Sequence, residues 1–251
     1  MKLWIITLGF CNARTLKAGL TRLDETSTYK GEVERIFLDQ YYPVNRKENF
    51  WELQSICKAH GFKFYDSGYD RGLHNGFNYV ASLLPLGDED LILLYDPDSW
   101  VDNAGFDSAM VEVLNEDKEL EYISSWHWPI EQTHGKRVPG AFRTTSSGLK
   151  YFVPDIQSQW EMVSLGMYRW SFIKEIGGMK QPRAYYGFLE EHFVKSLNLR
   201  RKRMGFLKGF DNENPHKSSL IDPEYEQYKL AHSNQSFPGS FQEFLTFIGK
   251  A

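Results

Sequence analysis

The 251-residue chain predicts an α/β domain of three layers, an α/β/α sandwich around a mostly parallel central sheet. Two observations carry this. Short apolar runs alternate with stretches of helical spacing through the first half, which is the pattern of βαβ units with right-handed crossovers. The clearest run, Leu91-Ile92-Leu93-Leu94-Tyr95, then leads directly into Asp96-Pro97-Asp98.

The elements follow in order. Leu3 to Leu8 is apolar and partly β-branched, and reads as a buried strand that stops at Gly9. Leu16, Leu20 and Leu23 place a helix over 13–23. Arg35 to Asp39 is a second strand ending in a carboxylate, and Tyr41, Tyr42 and Pro43 follow as a loop. Phe50, Leu53, Ile56 and Cys57 share one face of a helix over 49–60, which Gly61 stops. A short strand over 62–65, a helix over 72–84 and the strand over 90–95 come next. A helix over 104–115 and a strand over 121–125 complete the half.

The second half changes character. Residues 126–151 are rich in Gly, Pro, Ser, Thr and His, and predict a long loop or a weak hairpin. A mixed apolar stretch covers 160–168, and helices are expected over 170–176, 190–199 and 240–248. The division is therefore 1–125, a ligand-binding α/β half, and 126–251, an irregular region of the same domain.

The bulk numbers exclude some classes. A net charge of −4 gives no global basic field, which argues against a general nucleic-acid binder. The one basic run, Arg200 to Arg203, reads as a solvated helix end or as a contact for a phosphate-bearing partner. Cys11 and Cys57 lack metal-ligand spacing, and so few thiols point to a reducing compartment. The first eight residues are too short and interrupted for a signal peptide, and no window reaches the ~20 apolar residues of a membrane span. A cytoplasmic protein without a transmembrane segment is expected. Aromatic residues are 16%, high enough to supply stacking surfaces as well as core.

The chemistry gathers at strand ends. In an open α/β sheet, ligands bind beyond the carboxyl ends of the strands. There, Asp96 and Asp98 present two carboxylate groups that suit a hard divalent cation. Such a cation would neutralise a departing diphosphate. Asp-Pro-Asp-Ser is also good turn chemistry. Asp39 is placed to meet a base or a ribose hydroxyl, or to cap a turn. Arg71, in a Gly-containing segment that runs to Asn78, can meet phosphate or simply open a helix. Glu190 and Glu191 offer a general base, or the acidic start of a helix.

In this order the pieces resemble the large family-2 type of glycosyltransferases with the GT-A fold, over residues 3 to about 200. The resemblance rests on the strand reaching Thr7-Leu8 with Asn12 in the next loop, and on Asp39 at the second strand's end. It rests further on the Gly-containing segment ending in Asn78 and on Asp96-x-Asp98. Beyond these it uses Arg169 to Met179 with its Gly177-Gly178, and the Glu190-Glu191 pair. It implies inverting transfer of a hexosyl or pentosyl group from a UDP- or GDP-sugar, with Mn²⁺ or Mg²⁺. Thr7, Leu8, Asn12, Asp39, Arg71, Asn78 and Asp96 would line the nucleotide. Asp98, with Asp96, would hold the metal, and His216, with His232 second, would add a ligand. Glu191 matches the catalytic base, with Glu190 as its alternative.

The departures are specific. Glu191 stands where Asp is usual, Asp70 replaces Asn, and Gln40-Tyr41-Tyr42 follows Asp39, so that either tyrosine can stack on the base. A glycan or lipid-linked sugar is the first choice of acceptor, ahead of a protein or a hydroxylated DNA base. Two other classes compete. A sugar-nucleotide-forming nucleotidyltransferase would carry a Gly-rich basic loop, which Gly9 to Arg14 is not. A non-catalytic nucleotide- or carbohydrate-binding protein would not need Asp96, Asp98 and Glu191 together.

Overall fold

β1 (Leu3–Gly9) is buried along its whole length, so its alternating side chains build two cores at once. Leu3 and Ile5 face one core; Trp4, Ile6 and Leu8 face the other. The computed structural model describes residues 1–42, 45–126, 132–133, 136–155, 165–180 and 191–213.

The first half follows the alternation read from sequence. After β1 come α1 (Ala13–Thr26), β2 (Val33–Asp39), α2 (Arg46–Ala59), β3 (Lys63–Asp66), α3 (Leu73–Ser82) and β4 (Leu91–Leu94). α1 starts where the Asn12 side chain accepts the Thr15 N–H at 2.9 Å, and it buries Leu16, Leu20 and Leu23 fully. β5 (Trp100–Val101), α4 (Phe106–Glu116) and β6 (Leu120–Trp126) complete it.

The second half is more regular than its composition suggested. It holds the small pair β7 (Gln132–Thr133) and β8 (Lys136–Arg137), then β9 (Gly140–Thr144), β10 (Lys150–Pro154), β11 (Gly166–Arg169), α5 (Trp170–Glu175), α6 (Glu191–Arg200) and β12 (Arg203–Glu213). Among the described residues the main sheet runs β3-β2-β1-β4-β11-β6-β12-β10-β9, with β5 joined to the far end of β12. The expected loop or weak hairpin over 126–151 holds the β7–β8 pair and the β9–β10 hairpin, whose second strand runs on to Pro154. The basic run opens β12 instead of only ending a helix. The expected helix over 240–248 lies outside the described residues.

The sheet is mixed, a correction to the mostly parallel expectation. β3, β2, β1 and β4 are parallel neighbours, and so are β6 and β12. β11 is antiparallel to both β4 and β6, so β6 and β12 still run the same way as β4. Both halves therefore send strand ends to one carboxyl edge. α1, α2 and α4 cover one face, and α3, α5 and α6 cover the other.

Candidate active site

The carboxyl edge gathers the predicted residues. Asp39 is paired with Gly9 on one side and Asp66 on the other at the strand ends. Past Leu94 the chain makes one more ladder bond, Tyr95 N–H to the Ile6 carbonyl at 3.0 Å, and then turns. The turn is closed by the Ser99 N–H donating to the Asp96 carbonyl at 3.1 Å.

Two contacts from α1 seat this turn. The buried Tyr95 hydroxyl donates to the Gly19 carbonyl at 2.8 Å. Pro97 lies directly on Gly19, where an added Cβ would stand 2.6 Å from Pro97 Cα and closer still to its oxygen. Only a residue without a Cβ lets helix and turn approach so closely. Pro97 is buried, whereas Asp96 and Asp98 are half-buried. Burial raises the Tyr95 hydroxyl pKa, and the negative fields of Asp96, Asp24 and Asp98 add to it against the opposing field of Arg22. Tyr95 thus stays a neutral donor beneath the two carboxylates. Among the described residues no cluster of three or more metal-ligating side chains is present. The available oxygen donors, two carboxylate groups on a held turn, have the hardness that Mn²⁺ or Mg²⁺ requires.

Asp39 is more enclosed than expected. Its carboxylate is fully buried, 2.6 Å from the Arg46 guanidinium, and it accepts the Tyr41 N–H at 3.1 Å. The Arg46 guanidinium also lies over Tyr41, at 4.4 Å, and over Phe50, at 4.8 Å. Tyr41 has φ 63°, an uncommon value for an aromatic residue, and this conformation belongs to the loop that sets its ring on Arg46. Arg46 and Tyr41 thus pack together against the buried Asp39. Tyr42 is core: it is 1% exposed and edge-on to Phe10. Of the two tyrosines considered for stacking, only Tyr41 is accessible.

Burial raises the Asp39 pKa above the ordinary 3.8, and Arg46 opposes that rise. A raised carboxyl pKa means that the folded state binds more protons than the unfolded state between 3.8 and the folded value, so this group's contribution to stability falls as pH climbs through that window. Arg46→Ala would remove the opposing charge and carry the window upward. We expect it to cost about 3–5 kcal/mol at neutral pH, as for one partner of a buried pair, and less below pH ~4. Denaturant melts at both pH values check this; an equal loss at each would contradict the assignment.

Other expected residues have structural duties. Asn12 is the α1 cap. Thr7 is fully buried below the edge, and Leu8 belongs to the core around α3. The Arg71 guanidinium lies between the rings of Tyr69 and Tyr79, at 4.4 and 4.1 Å, and donates to the Ser67 carbonyl at 3.2 Å. The Asn78 carboxamide donates to the Met179 carbonyl at 2.6 Å and accepts the Met179 N–H at 2.9 Å. It clamps the turn after Gly178, which has φ +87° and no room for a Cβ beside Asn78. Both ends of the amide are thus engaged by the Met179 backbone. Arg169 donates to the carbonyls of Leu120, at 2.7 Å, and of Leu114, tying β11 to α4 and β6.

α6 carries Glu191 in its first turn. The helix leads into Arg203, whose N–H bonds the Glu119 carbonyl at the amino end of β6. Its last turn therefore lies at the amino edge, and ten residues at ~1.5 Å rise carry Glu191 back toward the carboxyl edge. Lys195, one turn on, pairs with Glu191. Glu190, His216 and His232 lie outside the described residues. The basic run sits at the opposite edge from Asp96: Arg200 pairs with Glu175 and Lys202 with Glu121, both at 2.6 Å. That location does not suit an acceptor phosphate beside the carboxyl edge.

Sequence reasoning missed Arg46, Gln40 and Gly19. Gln40 accepts the Arg71 N–H at 3.2 Å and packs on Gly76. The only advance signal was position, because Gln40 and Arg46 flank the loop after a strand-end aspartate.

The fold is that of GT-A-type glycosyltransferases. A mannosyltransferase from Pyrobaculum calidifontis, solved with GDP-mannose and Mn²⁺, superposes with a TM-score of 0.62 at 12% identity over 98% of this chain and 68% of its own. GalNAc-T7, solved with UDP, GalNAc and Mn²⁺, gives 0.62 at 11% identity, covering 99% of this chain and 56% of that one. S. aureus TarS residues 1–349 with UDP-GlcNAc give 0.58 at 14%, covering 92% and 64%. The chain thus spans little more than half to two thirds of these proteins. No protein-family model and no curated protein matches its sequence.

Proposed function

We propose that this protein is a metal-dependent glycosyltransferase. It would move a sugar, hexosyl or pentosyl, from a UDP- or GDP-linked donor to an acceptor hydroxyl with inversion. The observation that carries the reading is the Asp96-Pro97-Asp98 turn, seated on Gly19 and Tyr95 at the carboxyl edge of β4 in a GT-A fold. The similar structures were solved with nucleotides or nucleotide-sugars, two of them with Mn²⁺, which supports the donor class.

Asp98, with Asp96, would hold Mn²⁺ or Mg²⁺. When bound, the ion neutralises the departing diphosphate. His216 is the third ligand in this reading. Glu213, three residues earlier, pairs with Trp100, two residues past Asp98. His216 itself lies outside the described residues. Tyr41 and Arg46 offer a ring face and a cation to the base and phosphates. In this reading residues 1–125 are the donor half and 126–251 the acceptor half.

Glu191 takes the proton from the acceptor hydroxyl, with Glu190 as its neighbour. The acceptor oxygen then forms the new bond to the anomeric carbon as the bond to the diphosphate breaks, and a single displacement of this kind inverts configuration. Lys195 positions one carboxylate oxygen, and the other faces the acceptor in this reading.

The test is calorimetry with a panel of UDP- and GDP-sugars, with Mn²⁺ and after EDTA. One donor is expected to bind with Mn²⁺ and to weaken by roughly a hundredfold without it, about 2.7 kcal/mol. If no donor binds under either condition, the reading fails. Binding without turnover would leave a nucleotide-sugar-binding protein.

A further inference from the structure

The second half contributes an aromatic and cationic surface that the donor chemistry does not use. Trp126 ends β6, and its ring lies 6.1 Å from that of Phe142 on β9, with the planes 23° apart. The Lys208 ammonium, from β12, lies over both rings, 4.8 Å from Phe142 and 5.8 Å from Trp126. Phe142 is 45% exposed on the edge strand, and Lys208 is exposed as well.

The ladder fixes where this surface stands. Gly166 pairs with Leu94 on one side and with Ser124 on the other, so Leu94 and Ser124 are level. Asp96 and Trp126 each lie two residues farther on, along strands that run the same way. Trp126 ends its strand and Asp96 opens the turn after β4, so both stand at the carboxyl edge, on strands separated by β11. Trp126 also borders the core built by α3, α5 and α6, the face that carries Glu191.

We infer that Trp126, Phe142 and Lys208 form the acceptor subsite, and that it takes an acidic glycan. A pyranose ring would lie on the two aromatic faces, and an anionic substituent, carboxylate or phosphate, would meet the Lys208 ammonium. The chemistry is complementary. The apolar face of a sugar ring matches flat aromatic carbon, and a flexible ammonium recognises either anion as a point charge. An edge strand leaves room for the rest of the glycan to extend away from the sheet. A subsite about two strands from the metal-binding turn would bring the glycan's terminal hydroxyl beside the anomeric carbon of the donor.

This rests on the transferase reading, and its test is kept separate by omitting donor and metal. Three probes are titrated into the full chain by saturation-transfer NMR: a hyaluronan tetrasaccharide, a mannose-6-phosphate-terminated oligosaccharide and neutral cellotetraose. At least one acidic probe is expected to bind more tightly than cellotetraose. Phe142→Ala should weaken it by roughly tenfold through lost stacking. Lys208→Gln should remove the preference for acidic over neutral probes, and 0.5 M salt should do the same in the wild type. Trp126→Ala is read only if its circular dichroism matches wild type; Phe142, being exposed, is the variant that keeps the fold. If no acidic probe binds, or if Phe142→Ala and Lys208→Gln bind them like wild type, the inference is overturned. Probe binding without donor binding in calorimetry would instead overturn the donor reading and leave a glycan-binding surface.

Discussion

Asp98→Ala is expected to lower transfer by at least about a thousandfold, equivalent to about 4 kcal/mol of transition-state stabilisation. The reasoning starts from the turn. Asp96 and Asp98 flank a buried proline that rests on Gly19, so the backbone of the turn is held. Removing one carboxylate would therefore remove a proposed metal ligand and leave the frame in place. Donor affinity in the presence of Mn²⁺ should fall together with turnover, because the diphosphate loses its counter-charge. Thermal stability should stay close to wild type, since Asp98 is half-buried and outside both cores. Calorimetry, initial rates and a thermal melt on one preparation check all three. A variant that binds Mn²⁺ and donor as well as wild type would refute the site.

Glu191→Gln should separate binding from chemistry. The amide keeps the shape of the side chain at the start of α6 but cannot accept a proton. Transfer is expected to fall by about 10²–10⁴, the usual contribution of a positioned base. Donor binding should be unchanged, because Asp96 and Asp98 lie on another element. A Glu191→Gln enzyme with full activity would move the role to Glu190. Losing the Lys195 pair is a small matter for stability: the pair is exposed, and such pairs contribute at most ~1 kcal/mol.

Much of the first half was legible in advance for a simple reason. Buried parallel strands such as β1 and β4 need continuous apolar runs, and their helices need apolar residues three and four apart. β10 and β12 were hidden for the opposite reason. Lys150-Tyr151-Phe152-Val153-Pro154 is short and bounded by a lysine and a proline, and the register of β12 shifts between Phe206 and Asp211. They pair with each other far along the chain, where local pattern carries no information; only the β9–β10 pairing is local. The duties of Asn78 and Arg71 were hidden too. A side chain that bonds a backbone group a hundred residues away, as Asn78 does with Met179, leaves no mark on local spacing.

The sequence by itself determined the alternation of elements, the strand ends at Asp39 and at Asp96-Pro97-Asp98, and the three-layer class, because all of these follow from period and burial. Tertiary structure alone decided that Asp39 is closed in by Arg46, that Asn78 is a clamp, and that the basic run lies at the far edge. It alone set Ser124 level with Leu94, which brings Trp126 to the same edge as Asp96. Those facts depend on which strands become neighbours, and β11 decides that by running antiparallel between β4 and β6, turning what reads as two halves into one sheet with one working edge.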